Sequence, residues 1–222
     1  MENKLINQLQ KVLPPGMEIP AEIKMLYQWI EDNQLYVDSQ NNNRIGFLYP
    51  EKDLKNSWTE TGRAGGTTIE FAAGDAENLK YWFGGNENEE IKKRLCVFAQ
   101  SGGEGSECAF WLTEKNELKI VHMGSGSGSC LSCVLAQNAV DFLRLLAIGY
   151  DEICWDENFA YPPDETNQDF IVKPNVKFQD WVKTTFNVEI PTTALEIVKH
   201  PATMNDEKSE DEFFNWYQKF LQ

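Results

Sequence analysis

The sequence predicts an α+β fold: a mainly antiparallel sheet with a central meander, flanked by helices and followed by a helical C-terminal extension. Three observations predict it. Apolar runs of strand length are grouped in the middle of the chain. Segments with helical spacing stand on either side of them. Polar or glycine-rich turns join the central strands.

The opening segment, roughly residues 2–12, is amphipathic through Leu5, Ile6, Leu9, Val12 and Leu13, and Pro14-Pro15-Gly16 stops it. A second helix is expected from Pro20, a favoured first-turn residue, with Ile23, Leu26, Tyr27 and Ile30 on one face. Ser39-Gln40-Asn41-Asn42-Asn43 reads as a polar loop. Ile45–Tyr49 and Thr67–Phe71 read as short strands, with a flexible stretch carrying Gly62, Gly65 and Gly66 between them. Leu95–Ala99 is a continuous apolar run, which suits a strand covered on both faces. The turn-rich link Ser101–Ser106 leads to the strand Cys108–Leu112, and the polar turn Thr113–Glu117 to the strand Leu118–Met123. Three antiparallel strands in a meander are the simplest arrangement.

The loop Gly124-Ser125-Gly126-Ser127-Gly128-Ser129 reads as a flexible strand-to-helix connection. A strongly apolar helix is expected over Gln137–Ile148, and it should lie on the sheet. Beyond it stand an acidic stretch, residues 151–169, and helices at about Lys177–Phe186, Thr192–Lys199 and Glu210–Leu221. No internal repeat and no long linker is visible. The 222 residues are therefore read as one domain, with a core over about residues 10–150 and an extension over about 151–222.

Composition narrows the function classes. The formal net charge is −15, with 41% hydrophobic and 12% aromatic residues. That is too apolar for a disordered chain. The charge repels nucleic acid and anionic membrane surfaces and attracts basic partners. The cluster Lys92-Lys93-Arg94 follows Glu87, Glu89 and Glu90 and reads as a solvated helix end. No apolar leader is visible at the N-terminus, and no run of about 18 apolar residues occurs. The five cysteines are expected to be reduced and mostly buried, and the chain cytoplasmic.

The motifs that carry chemistry are few. Cys130 and Cys133 form a CxxC, but Cys96, Cys108, Cys154, His122 and His200 offer no paired completer for a zinc site. Small buried residues under a helix are the expected reading, with a thiol or metal protein as an alternative. The loop 124–129 lacks the Gly-Lys-Ser/Thr ending of a P-loop. Among candidate dyads only Cys130 with His122 merits a test. His122 sits between apolar neighbours in a predicted strand, where a satisfied structural imidazole is the common outcome. No catalytic residue, metal ligand or cofactor site is assigned.

The stretch 151–169 stands apart. It holds Asp151, Glu152, Asp156, Glu157, Asp164, Glu165 and Asp169, with no Lys or Arg. Trp155, Phe159 and Tyr161 are interleaved. Acids steer a basic partner in, and desolvated aromatics anchor it. Asp151, Glu152, Trp155, Asp156, Glu157, Phe159 and Tyr161 are the candidate partner-binding residues. The competing reading has these aromatics packed on the domain's own core.

The order of features resembles the SUKH superfamily, which includes the fungal Smi and Knr regulators of cell-wall synthesis and many bacterial immunity proteins. The resemblance is carried by Leu13-Pro14-Pro15 with Ile19-Pro20 through Trp29-Ile30, and by Leu95 through Gly103 followed by Cys108–Leu112. Ile120-Val121-His122-Met123-Gly124 and the helix Asn138–Leu146, with its Phe142-Leu143 pair, complete it. The turn reads Gly102-Gly103-Glu104-Gly105, without the Gly-Asp common there, and the last 70 or so residues extend beyond the usual core. The resemblance implies a non-catalytic protein that neutralises a cognate toxin, often a nuclease, in the cytoplasm. It carries no shared catalytic residues. A regulatory or scaffold protein of a cell-envelope or stress network is the alternative binding role. The oligomeric state is left open.

Overall fold

The computed structural model describes residues 3–50, 52–53, 61–167 and 169–221. Glu2 of the predicted opening helix, residues 54–60 of the glycine-bearing stretch and Gln168 of the acidic stretch lie outside the described residues. The fold is α+β, built on a seven-stranded antiparallel sheet.

Helix α1 spans Lys4–Val12; Asn3 caps it by accepting from Ile6 N, and Leu5 and Leu9 turn inward. Leu13 is extended because Pro14 follows, which ends the helix. Helix α2, Ala21–Asp32, has Pro20 at its N-cap and buries Ile23, Leu26, Tyr27, Trp29 and Ile30. Strands β1 (Tyr36–Asp38) and β2 (Arg44–Gly46) form an edge hairpin. Gly62–Ala64 is β3, and Glu70–Phe71 is β4. A 3-10 turn at Ala76–Tyr81 and helix α3, Glu89–Arg94, precede the central strands. These are β5 (Leu95–Gln100), β6 (Glu107–Leu112) and β7 (Leu118–Met123), followed by β8 (Val134–Ala136). Helix α4 spans Ala139–Ile148; Asn138 caps its start, and Gly149 ends it in the left-handed region that glycine adopts freely. The extension adds β9 (Ile171–Lys173), α5 (Val176–Phe186) and α6 (Glu212–Gln218).

The strand order is β1-β2-β4-β5-β6-β7-β8, antiparallel throughout, so the predicted meander β5-β6-β7 forms its centre. Both faces of the meander are covered. On one, Cys96, Phe98, Ala99, Cys108, Phe110 and Ile120 join a core with residues of α1, α2, α4 and α5. On the other, Leu95, Val97, Ala109, Trp111, Val121 and Met123 meet Phe83 and Ile91, and Phe213, Trp216 and Tyr217 of α6. Double coverage explains why these strands are runs of apolar residues instead of alternating ones. A register shift between Val97 and Ala99 puts Phe98 and Ala99 in the same core.

The structure departs from the sequence reading at several places. The strand expected over Ile45–Tyr49 is Arg44–Gly46, and the one expected over Thr67–Phe71 is only Glu70–Phe71. Part of the stretch expected to be flexible is strand β3, which pairs in parallel with β9. The helix expected at Thr192–Lys199 is a single 3-10 turn, Ala194–Glu196, closed by a Thr193/Glu196 capping box. The chain leaves that turn to reach the sheet edge, where Ser132 N donates to Ala202 O at 2.7 Å and Met204 N donates to Cys130 O at 2.8 Å. The loop 124–129 does not run straight into a helix, because β8 intervenes. Gly124 is closely packed there: a Cβ would lie 2.7 Å from Ser129 O.

Candidate functional site: an acidic face around Trp155

The acidic stretch is held against the end of the sheet by long-range polar contacts. Asp151 Oδ2 pairs with Arg63 Nη1 at 3.1 Å, and Asp151 Oδ1 accepts from Thr67 Oγ1 at 3.1 Å. Thr68 Oγ1 donates to the Asp151 carbonyl at 3.1 Å. Arg63 lies on β3 and its guanidinium stacks 3.8 Å above the Phe170 ring. Both Asp151 and Arg63 are largely withdrawn from solvent, with side-chain exposures of 14% and 22%.

Glu152 is held next to this pair. Its Oε1 accepts from the backbone N–H of Gly103 at 3.0 Å, and its Oε2 accepts from the Trp155 indole N–H. The second bond fixes the half-buried Trp155 ring against the turn. Asp156 and Glu157 open the 3-10 turn Asp156–Asn158, Glu157 exposed and Asp156 half-buried. Burial, with some repulsion from Glu157 and Asp206, pushes the Asp156 carboxyl above its ordinary value.

Glu104 adds a further carboxylate from the turn between β5 and β6, accepting from Ser106 N at 2.6 Å and Ser106 Oγ at 2.5 Å. The Cys154 thiol is buried among these groups. Burial first, then Glu152 and Glu104, drives its pKa far up, so it stays a neutral thiol.

The structure brings Asp151, Glu152 and Trp155 together around one cavity, and Asp156 and Glu157 stand in the 3-10 turn that follows. The two remaining candidates part company. Tyr161 is 53% exposed, and its carbonyl accepts from Tyr150 Oη at 2.7 Å. Phe159 is fully buried and packs beside Tyr150 with ring centroids 6.1 Å apart. Its ring therefore anchors the segment from within, and the core reading holds for that residue. Arg63, Glu104 and Phe170 were not read from the sequence. Their partners are distant in the chain, and no local pattern marks them.

A cavity of about 190 Å³ opens at this face, lined by Arg63, Asp151, Glu152, Trp155, Asn158 and Phe170 among others. A cleft of about 390 Å³ is lined by Val134, Ile197, His200 and Asp211, and two further clefts are also larger than the one beside Trp155. One, of about 640 Å³ beside α1 and α2, is lined by Lys4, Glu31 and Arg44. Its charges are spent on each other: Arg44 pairs with Glu31 at 2.6 Å and with Asp38 at 2.8 Å, and Lys4 pairs with Asp38 at 3.1 Å. The other, of about 290 Å³, is floored by Trp111 and Trp216. Those rings are only 2% and 4% exposed and belong to the core.

The cysteine and histidine motifs are built into the interior. His122 is fully buried. Its Nδ1 lies 2.7 Å from the Leu131 carbonyl and its Nε2 2.8 Å from Ser101 Oγ. A carbonyl only accepts, so Nδ1 carries the proton and Ser101 donates to Nε2. Both ring nitrogens are thereby engaged away from Cys130, which removes the dyad that the sequence suggested. Burial, the dominant cause, pulls the imidazole down to about 4, so it is neutral at pH 7. Burial likewise pushes the Cys133 thiol well up. All five cysteines are free, and among the described residues no group of three His, Cys, Asp or Glu side chains could hold a metal ion. No described helix is long and apolar enough to cross a membrane.

Comparison with protein-family models, with curated proteins and with solved structures returned no match to this chain.

Proposed function

We propose that this chain is a non-catalytic binding protein of SUKH type: an immunity protein that occludes a cognate toxin through its acidic face. The observation that carries the reading is the composition of that face. Asp151 and Glu152 line a cavity with Trp155, Asp156 and Glu157 follow in the adjacent 3-10 turn, and among the described residues Arg63 is the one cation in the lining. A toxin that works on nucleic acid, such as a nuclease, carries a basic cleft, and opposite charge speeds encounter with it. The net charge of −15 adds a long-range attraction of the same sign. The resemblance in element order supplies the family, and the charged face supplies the surface.

The test has two parts. Co-expression with a toxin encoded beside this chain should restore growth; continued killing would overturn the immunity role. Reversing Asp156 and Glu157 to Lys should slow association by about tenfold at low salt, with the effect fading as salt rises. Unchanged association would remove this face from the contact.

A further inference from the structure

We propose that the cavity beside Trp155 receives an arginine side chain of the partner; this deepens the binding reading above and rests on it. Among the described residues, the charged lining of the cavity is two carboxylates, Asp151 and Glu152, against one guanidinium, Arg63. Arg63 answers Asp151 at 3.1 Å. Glu152 is held by neutral donors, the Gly103 N–H and the Trp155 indole N–H. Its negative charge thus has hydrogen bonds but no cation of its own among the described residues. Each carboxylate oxygen accepts about two hydrogen bonds; Oε2 takes the Trp155 indole N–H and the Cys154 thiol, and Oε1, with the Gly103 N–H alone, retains capacity. Among the described lining residues, one negative charge is left over for an incoming cation.

The rest of the lining selects the kind of cation. Arg63 already lies flat on the Phe170 ring at 3.8 Å, and Trp155 adds a second aromatic wall. A guanidinium is planar, weakly hydrated, matches a carboxylate with a fork of donors and stacks on aromatic faces. A lysine ammonium is a compact, strongly hydrated point charge and loses more on entering. Asn158, Thr166 and Asn167 supply neutral polar groups around the same space.

The experiment is an NMR titration of the Trp155 indole N–H, assigned with Trp155→Phe, using blocked Gly-Arg-Gly, Gly-Lys-Gly and Gly-citrulline-Gly peptides at low ionic strength. The arginine peptide should shift the signal saturably, the lysine peptide should bind at least threefold more weakly, and the citrulline peptide should leave it unmoved. Glu152→Gln should weaken the arginine peptide by about tenfold, as expected for loss of one charge-assisted contact. If that variant does not fold, the arginine–citrulline comparison on the unaltered chain decides. No saturable response to arginine, or an equal response to citrulline or lysine, overturns the assignment. A chain that takes the arginine peptide yet fails to protect cells overturns the immunity role alone. A chain that protects cells without the peptide response overturns the cavity assignment alone.

Discussion

Replacing His122 with glutamine should change how stability depends on pH more than it changes stability at pH 7. The imidazole is fully buried, donates from Nδ1 to the Leu131 carbonyl and accepts at Nε2 from Ser101. A proton added at Nε2 displaces the Ser101 hydrogen bond and places a charge in the core. The pKa accordingly falls from the ordinary 6.5 to about 4, with burial the largest cause. The sign follows directly. The folded value lies below the unfolded one, so the unfolded chain binds the proton first. Stability from this residue is whole above about pH 6.5 and is lost as pH falls toward 4. The fall from 6.5 to about 4 corresponds to about 3 kcal/mol. That is a sizeable share of the 5–15 kcal/mol typical of a folded domain. Glutamine offers a donor and an acceptor but does not titrate. The assay is urea unfolding of both proteins, followed by tryptophan fluorescence from pH 7.5 to pH 4. The wild-type advantage should shrink by about 3 kcal/mol across that window, with equal m-values. Parallel curves, or an imidazole that titrates near 6.5 by NMR, would refute the reasoning and mean that water reaches the ring.

Two further outcomes follow from the same physics. Glu107 on β6 has its carboxyl raised to about 7 by burial, so its contribution is present below about pH 4.5 and lost as pH rises through 7. Glu107→Gln should stabilise the fold by about 2 kcal/mol at pH 8, after discounting for partial exposure, and by little at pH 4; an equal effect at both would count against it. Asp211 is 4% exposed and accepts from Val134 N at 3.0 Å and Phe214 N at 2.8 Å, so it caps helix α6 and the edge of β8 together. Asp211→Ala should cost about 2–3 kcal/mol and speed hydrogen exchange at the Val134 amide; slow exchange there in the variant would show that the edge is held by something else.

The sheet centre was legible because β5, β6 and β7 are six-residue apolar strands buried on both faces. Helices α1, α2 and α4 were legible because their buried residues recur at helical spacing and Pro14, Pro20 or Gly149 marks an end. Strands β1, β3, β8 and β9 are three residues long, too short for a period to register. β3 and β9, moreover, exist because each pairs with a partner distant in the chain. The Thr192–Lys199 reading failed for a related reason. Ala194, Ile197 and Val198 are buried as in a helix, yet one turn suffices before the chain departs for the sheet edge. At the acidic face, the acids and Trp155 were visible as a local run. Arg63, supplied by β3, and Glu104, supplied by the turn between β5 and β6, were not, and neither was the inward turn of Phe159.

The way residues 202–211 cover the stretch 130–134 bears on biosynthesis. As the chain emerges from the ribosome, the strands of the meander are complete long before this seal arrives. Through that interval the backbone groups of Cys130, Ser132 and Val134 lack these partners and are open to any neighbouring nascent chain. The aromatic face that α6 later covers is bare over the same period. The exposure during synthesis therefore lasts until residues 202–218 are made, and slower translation of that segment lengthens it.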